Sequence, residues 1–362
     1  MVIWIALLGA ICLWKLSFRR EPEKTYLTDY MSKEKTNAVR GIFILIVFMS
    51  HFKSYVTLSD ALPDHLYSSF LTLLGQRMVT PFLFLSGYGV MESLKAKGAD
   101  YVRSIPGKRF GGVLFRFDLA ILVFIAVDLL IKWPFTWKQA LLSLIGWDAV
   151  GNSNWYIFII LVLYLLTFLS FSIFDPQRES LKGVVLITLF SLLIVFSFRA
   201  TGIKERYWYD TMLCYPAGLI WSLYGRRFAD FINRKTILWL AFTAVFVGAE
   251  LCTIFVWRLQ GSFLAREAGM LLFPIAIQMV MMRVGVCNPI LTWCGKHLFG
   301  LYIIQRIPMN IFKQFGLMAS WNKYLLFILC LAITILLAWS FDTLTDQLWK
   351  KLTSGRKKQL KT

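Results

Sequence analysis

The sequence predicts an all-α fold, a polytopic transmembrane helical bundle of about eleven spans. Three observations carry this. Of the 362 residues, 58% are hydrophobic and 16% charged, with a mean hydropathy of +0.63, which is more apolar surface than a water-soluble chain of this length can hide. The runs from Ile237 to Trp257 and from Tyr324 to Phe341 are almost unbroken apolar stretches of spanning length, without the alternation of barrel strands. Basic residues collect between the apolar runs, so the formal net charge of +19 reads as membrane orientation and not as a nucleic-acid surface.

In chain order the expected spans are 1–18, 39–57, 69–92, 112–131, 153–174, 183–198, 209–225, 236–257, 267–284, 290–312 and 322–345. The first lacks a basic leading region and a small-residue cleavage site, and Arg19-Arg20 follows its apolar run. It therefore reads as a retained short span and not as a signal peptide. Residues 1–36 make an extra N-terminal helix with a basic linker, 37–349 the main membrane domain, and 350–362 a basic tail. The positive-inside rule puts the linker in the cytoplasm together with Lys95, Lys97, Arg103, Lys108 and Arg109, and the tail residues Lys350, Lys351, Arg356, Lys357, Lys358 and Lys361. The expectation is a multi-pass protein of the cell (plasma or inner) membrane, N-terminus outside and C-terminus cytoplasmic.

Six cysteines are scattered, mostly within apolar runs, without disulfide or metal-ligand spacing, so no metal is expected. The chain contains no P-loop, zinc-protease helix or dinucleotide fingerprint. No internal repeat is visible, which disfavours a carrier.

Ionisable groups inside a bilayer are costly unless paired or solvated, so each is a functional candidate. They are Arg77, Arg116, Asp118, Asp128, Glu250, Arg306, His51 and His297. Arg40 and His51 are eleven residues apart in the second span, about three helical turns or about 16 Å of rise, so both leave the same face. Arg40 falls at the cytoplasmic mouth and His51 deep in the membrane. That reach suits an extended donor such as coenzyme A, with phosphates at the basic mouth and a thioester carried inward toward an imidazole, the usual general base near neutral pH.

Arg40 to His51, with ten residues between, resembles the Arg-x10-His signature of acyltransferase family 3, whose members are membrane-bound O-acyltransferases. Thr80-Pro-Phe-Leu-Phe-Leu-Ser-Gly-Tyr88 is similar to that family's Phe-Phe-x-x-Ser-Gly element, and Asn154-Trp155-Tyr156 to its Trp-Tyr motif. The resemblance covers about residues 37–349 and implies a ten-span acyltransferase core plus one N-terminal span. It implies transfer of acetyl or another acyl group from cytoplasmic acyl-CoA, a co-substrate and not a resident cofactor, to hydroxyls of extracytoplasmic or lipid-linked polysaccharides. Acyl-CoA, the glycan acceptor and membrane lipids are then the partners, and nucleic acid is not.

Two departures stand out. The basic run Arg103-Ser-Ile-Pro106-Gly-Lys108-Arg109 has its proline displaced from the family's pattern, and Gly295 to Gln305 ends in glutamine where the family has histidine. Glutamine hydrogen-bonds but relays no proton near pH 7.

On this reading His51 is the catalytic base, acting directly or through an acyl-histidine. Arg40, Lys108, Arg109 and Arg116 grip the donor phosphates, with pairing to Asp118 a competing role for Arg116. Arg77, Ser86, Trp155, Tyr156, Tyr302 and Gln305 shape the acceptor or oxyanion pocket. Ser86 lacks a nucleophile elbow, while Pro81, Gly87 and Gly89 bend the helix or admit a neighbour. A transporter or flippase for glycan intermediates or acyl groups, or a non-catalytic scaffold, would use the same intramembrane charges differently.

Overall fold

The computed structural model describes residues 1–19 and 29–359, with side chains as far as Ser354. Arg20, Lys24 and Lys361 of the expected basic linker and tail lie outside the described residues, as do the side chains of Arg356, Lys357 and Lys358.

The described chain is helical apart from a two-residue antiparallel ribbon pairing Ser17 with Gly285 and Phe18 with Val284. The helices are α1 (Ile3–Leu13), α2 (Lys33–Lys53), α3 (Leu62–Leu74), α4 (Thr80–Lys97), α5 (Ala99–Ser104), α6 (Gly112–Ile131), α7 (Trp137–Leu144), α8 (Trp155–Ile173) and α9 (Ser180–Thr201). They continue as α10 (Cys214–Ile232), α11 (Thr236–Gln260), α12 (Phe263–Met281), α13 (Pro289–Lys296), α14 (Leu298–Ile304), α15 (Arg306–Gln314), α16 (Leu317–Ser320) and α17 (Lys323–Gln359).

Among the described residues five helices, α8, α9, α11, α12 and α17, are long and apolar enough to cross a membrane. The protein is a multi-pass membrane protein. About eleven spans were expected and these five meet that condition of length and apolarity; each of the other runs departs from it for a reason. α1 is eleven residues long. α2 opens on Lys33-Glu34-Lys35 and carries Arg40, His51 and Lys53. The run over 69–92 is divided at Gly75, whose φ of +46 ends α3 before a 3-10 turn, Gly75–Val79, leads into α4. α6 contains Arg116, Asp118 and Asp128, and α10 ends in Arg226, Arg227 and Asp230. The run over 290–312 is cut into three helices at His297 and Gln305.

The core of the bundle and its lipid face separate by helix. Leu240, Val245, Leu251 and Phe255 of α11 are exposed, as are Leu189, Leu193 and Phe196 of α9. Large apolar side chains displayed in rows on spanning helices are solvated by lipid. The buried core instead gathers Phe48, Phe52, Phe84, Phe117 and Phe124 with Tyr67 and Tyr215.

Two helix crossings depend on missing side chains. A Cβ on Gly41 of α2 would stand 2.0 Å from the Leu291 carbonyl oxygen of α13, and one on Gly295 would stand 1.8 Å from the Asn37 oxygen. Likewise a Cβ on Gly87 of α4 would meet the Tyr215 oxygen at 2.1 Å, and one on Gly218 of α10 the Phe84 oxygen at 1.9 Å. These are backbone-to-backbone contacts of the small-residue kind that hold membrane helices together without a hydrophobic driving force. Gly87 thus admits a neighbour as expected. Gly89 admits no neighbouring helix, since nothing lies within 4 Å of its would-be Cβ, and faces the larger cavity instead.

Substituting Gly41→Val should therefore force α2 off α13 and destabilise the fold by roughly 1–3 kcal/mol or more, since the obstacle is backbone. Thermal unfolding in detergent should show a lower Tm, with Gly89→Ala unchanged beside it. Equal Tm values for Gly41→Val and the parent would deny the crossing this role.

Candidate active site

α2 is one unbroken helix of 21 residues, so the spacing of Arg40 and His51 keeps the geometry read from sequence. Each side chain is half-buried and lines a cavity, but not the same one.

The larger cavity has a volume of about 730 Å³ and is walled by α2, α4, α8 and α14. Arg40 projects into it beside Lys33, and Arg109 enters from the opposite wall. The Nη1 of Arg40 donates to Asn37 Oδ1 at 3.4 Å, and no carboxylate lies within ion-pair distance among the described residues. Arg109 sits in a π-helical turn, Ile105–Gly111, where the displaced Pro106 falls. Its Nε donates to the Tyr101 hydroxyl at 2.8 Å, and its guanidinium lies 6.0 Å from the Tyr164 ring centre. Such π turns add a residue to the helix and re-aim the side chains that follow, a device common at functional sites. Ser86 lines the same cavity and shares a 3.0 Å hydrogen bond with the Tyr164 hydroxyl. Phe82, Leu85, Ile157 and Ile160 supply apolar wall. Glu92 is the carboxylate on the wall, accepting from Lys95 at 2.6 Å and Ser222 at 2.7 Å.

The smaller cavity, about 430 Å³, is lined by His51 with Ser50, Gln76, Asn152, Ser153, Trp155, Tyr207 and Arg306. The imidazole Nε2 lies 3.5 Å from Ser153 Oγ. Gln305 is within hydrogen-bonding reach of the ring, and its Nε2 already donates to the Tyr302 carbonyl at 2.9 Å. Its amide oxygen and the Nδ1 of His51 are both buried and neither has a hydrogen-bond partner in this structure, which leaves them as complementary atoms for one another. The boundary between α14 and α15 falls on Gln305, which keeps helical dihedrals, three residues before Pro308.

Tyr302 lines both cavities. Its ring centre is 5.4 Å from that of Tyr156, which belongs to the larger cavity, whereas Trp155 belongs to the smaller. An aromatic partition therefore stands between the Arg40 chamber and the His51 chamber.

Of the sequence candidates, Arg40, Arg109, Ser86, Tyr156 and Tyr302 come together in the larger cavity, and His51, Trp155 and Tyr302 in the smaller, with Gln305 behind His51. Three are placed elsewhere. Arg77 is 2% exposed, ion-paired with Glu250 of α11, and lines neither chamber, although its neighbours Gln76 and Met78 line the smaller one. Arg116 pairs at 2.5 Å with Asp346 of α17, not with Asp118. Lys108 is exposed on the π turn and lines neither cavity. His297 bonds Asp342 at 2.9 Å through Nδ1. Lys33 and Arg306 had no assigned role in the sequence reading; Arg306 follows Gln305 directly and faces the His51 chamber. Its presence among the intramembrane charges was the available signal.

A family model described as an acyltransferase domain matches residues 35–343. Comparison with curated proteins and with solved structures gave no match.

The Arg77–Glu250 pair makes a test of the site's boundary. Removing one member of a buried pair strands the other and costs about 3–5 kcal/mol, whereas replacing both by apolar residues of similar volume is close to neutral. Arg77→Met should lower Tm sharply and Arg77→Met with Glu250→Met should restore most of it. A double variant as unstable as the single one would overturn the structural assignment of Arg77.

Proposed function

Since the chain belongs to acyltransferase family 3, whose domain covers residues 35–343, we propose that it is a membrane O-acyltransferase moving an acyl group, preferably acetyl, from cytoplasmic acyl-CoA to a hydroxyl of an extracytoplasmic or lipid-linked polysaccharide. The carrying observation is one helix that presents a cation to a large, basic-mouthed cavity and an imidazole to an adjoining polar one. Residues 37–349 form the catalytic unit, with the Lys33 end of α2 on the cytoplasmic side and the Lys53 end outside.

The larger cavity takes the donor. Its volume is in the range of small-molecule sites, Arg40, Arg109 and Lys33 oppose phosphate charge, and the apolar wall suits the pantetheine arm. Guanidinium groups bind phosphate oxygens in pairs of hydrogen bonds, which makes Arg40 and Arg109 the stronger clamps. The smaller cavity takes the acceptor. With Gln305 holding Nδ1–H, the lone pair of His51 is on Nε2, the nitrogen that faces Ser153 and the open chamber.

Transfer then runs as a balanced exchange. His51 Nε2 takes the acceptor hydroxyl's proton as its oxygen attacks the thioester carbonyl, Arg306 faces the negative charge that develops on the carbonyl oxygen, and collapse breaks the C–S bond. The departing thiolate takes the proton back from the imidazolium, leaving ester, thiol and neutral histidine. Gln305 keeps the base oriented without itself exchanging a proton, which accounts for glutamine where the family has histidine. Tyr302 must turn aside for the thioester to reach His51. Between turnovers it keeps water in the acceptor chamber from the donor.

Three outcomes are expected of purified protein given labelled acetyl-CoA and host glycan. His51→Ala should lose transfer by at least about 10²-fold while remaining folded; normal transfer would end the proposed chemistry. Arg40→Ala should raise the KM for acetyl-CoA more than it lowers kcat, and an unchanged KM would remove it from the clamp. Tyr302→Ala, which joins the chambers, should raise acetyl-CoA hydrolysis relative to transfer. The same assay separates this reading from a flippase, which would move an unmodified lipid-linked sugar and release no coenzyme A.

A further inference from the structure

A third polar cavity, about 300 Å³, opens beside the acceptor chamber, with Arg199, Arg206 and Arg266 on its wall together with Trp257, Gly261 and Phe263. Its arginines come from three places: the end of α9, the 3-10 turn Arg206–Trp208, and the first turn of α12. Like charges so gathered repel one another unless an opposite charge joins them.

The carboxylates available do not balance them. Arg266 is ion-paired with Asp210, which is 1% exposed. Glu267 follows Arg266 on α12, and both its carboxylate oxygens are buried without a donor. Even with both carboxylates counted, three guanidinium groups face two negative charges. Arg199 and Arg206 have no carboxylate within ion-pair distance among the described residues.

Two of the cations lie over aromatic rings, Arg199 with its N–H groups unpaired by any carboxylate among the described residues and Arg266 with its Nε on Asp210. The Arg199 guanidinium lies 3.8 Å from the centre of the Phe263 ring, and that of Arg266 lies 4.9 Å from the Trp257 ring. Stacking uses the face of the guanidinium, so the N–H edge remains for an oxyanion. Gly261, in the left-handed region at φ +63, ends α11 and puts no side chain in the way. The N-terminus of α12, a helix of 19 residues, opens at the same place and adds partial positive charge.

Position gives the cluster its meaning. Arg206 lines this cavity while its neighbour Tyr207 lines the His51 chamber, so one turn of chain separates the two. We propose that this cavity is an oxyanion subsite for the acceptor, holding a phosphate or carboxylate of the molecule whose hydroxyl enters the His51 chamber. The oxyanion site stands on the arginine cluster; its service to the acceptor rests on the acyl-transfer reading.

The test is direct binding to full-length protein in phosphatidylcholine nanodiscs, with inorganic pyrophosphate and glucuronate as probes. Arg199 and Arg206 are exposed, so Arg199→Gln with Arg206→Gln should fold normally. The double variant should bind at least one of the two probes at least tenfold more weakly, while His51-dependent acetyl-CoA hydrolysis is unchanged. Equal binding by variant and parent, including no binding by either, would overturn the site. A second arm repeats the titration in nanodiscs containing phosphatidylglycerol: loss of probe binding there would assign the cavity to a lipid headgroup and overturn its role for the acceptor. Absence of any His51-dependent hydrolysis would instead count against the acyl-transfer reading and leave the binding result to judge the site itself.

Discussion

The contact of Gly41 with α13 fixes the rotation of α2, and the candidate site follows from that angle. Successive helical residues are about 100° apart, so Arg40 and His51 differ by only roughly 20° around the axis and both lie roughly a quarter turn from Gly41. With Gly41 pressed on the Leu291 carbonyl and Gly295 on that of Asn37, neither side chain is free to turn toward lipid. The second glycine crossing does the same for α4. Gly87 faces α10, and the residues on the other side of the helix, Phe82, Leu85, Ser86, Gly89 and Glu92, are those that line the larger cavity. The chambers are thus gaps left where helices are held together elsewhere along their length.

A low-dielectric surrounding sorts the remaining charges. Arg77 with Glu250, Arg116 with Asp346, and His297 with Asp342 are paired between helices, as charges removed from water must be. Arg40, Arg109, His51 and Arg306 have no carboxylate partner and face open volume instead. Pairing therefore separates groups that hold the bundle together from groups that await a substrate. Asp118 and Asp128 meet neither condition: Asp118 Oδ1 and both oxygens of Asp128 are buried without a donor.

The helical, membrane-embedded fold was legible because its signal is composition, which survives any arrangement of helices. The number of spans was not. A hydropathy reading joins apolar residues across Gly75, His297 and Gln305, where the helices end, because such ends depend on local detail: a positive φ at Gly75, a non-helical ψ at His297, and Pro308, which has no N–H for the Ile304 carbonyl just before Gln305. Within the site, residues on one helix were well placed, since helical periodicity is a strict rule. Arg40 and His51, Ser86, and Trp155 beside Tyr156 all reach cavity walls. Assignments that needed a partner on another helix fared worse. Nothing local distinguishes Arg77, which pairs with Glu250, from Arg306, which lines the His51 chamber, as those counterparts are respectively 173 and 255 residues away.

That Arg40 and His51 occupy separate chambers bears on how such a reaction can proceed in a membrane at all. A single open channel from one side to the other would admit water and ions along the path of the thioester, and water competes with any acceptor hydroxyl. In the proposed mechanism a donor chamber and an acceptor chamber that meet at one tyrosine, Tyr302, avoid this. On that reading only the narrow acyl end of the donor passes, while its phosphates stay against Arg40 and Arg109. The length of α2 between Arg40 and His51, about 16 Å, would then match the extended arm between the charged and reactive ends of the donor, and the rigidity of that one helix would set the distance over which the acyl group is delivered.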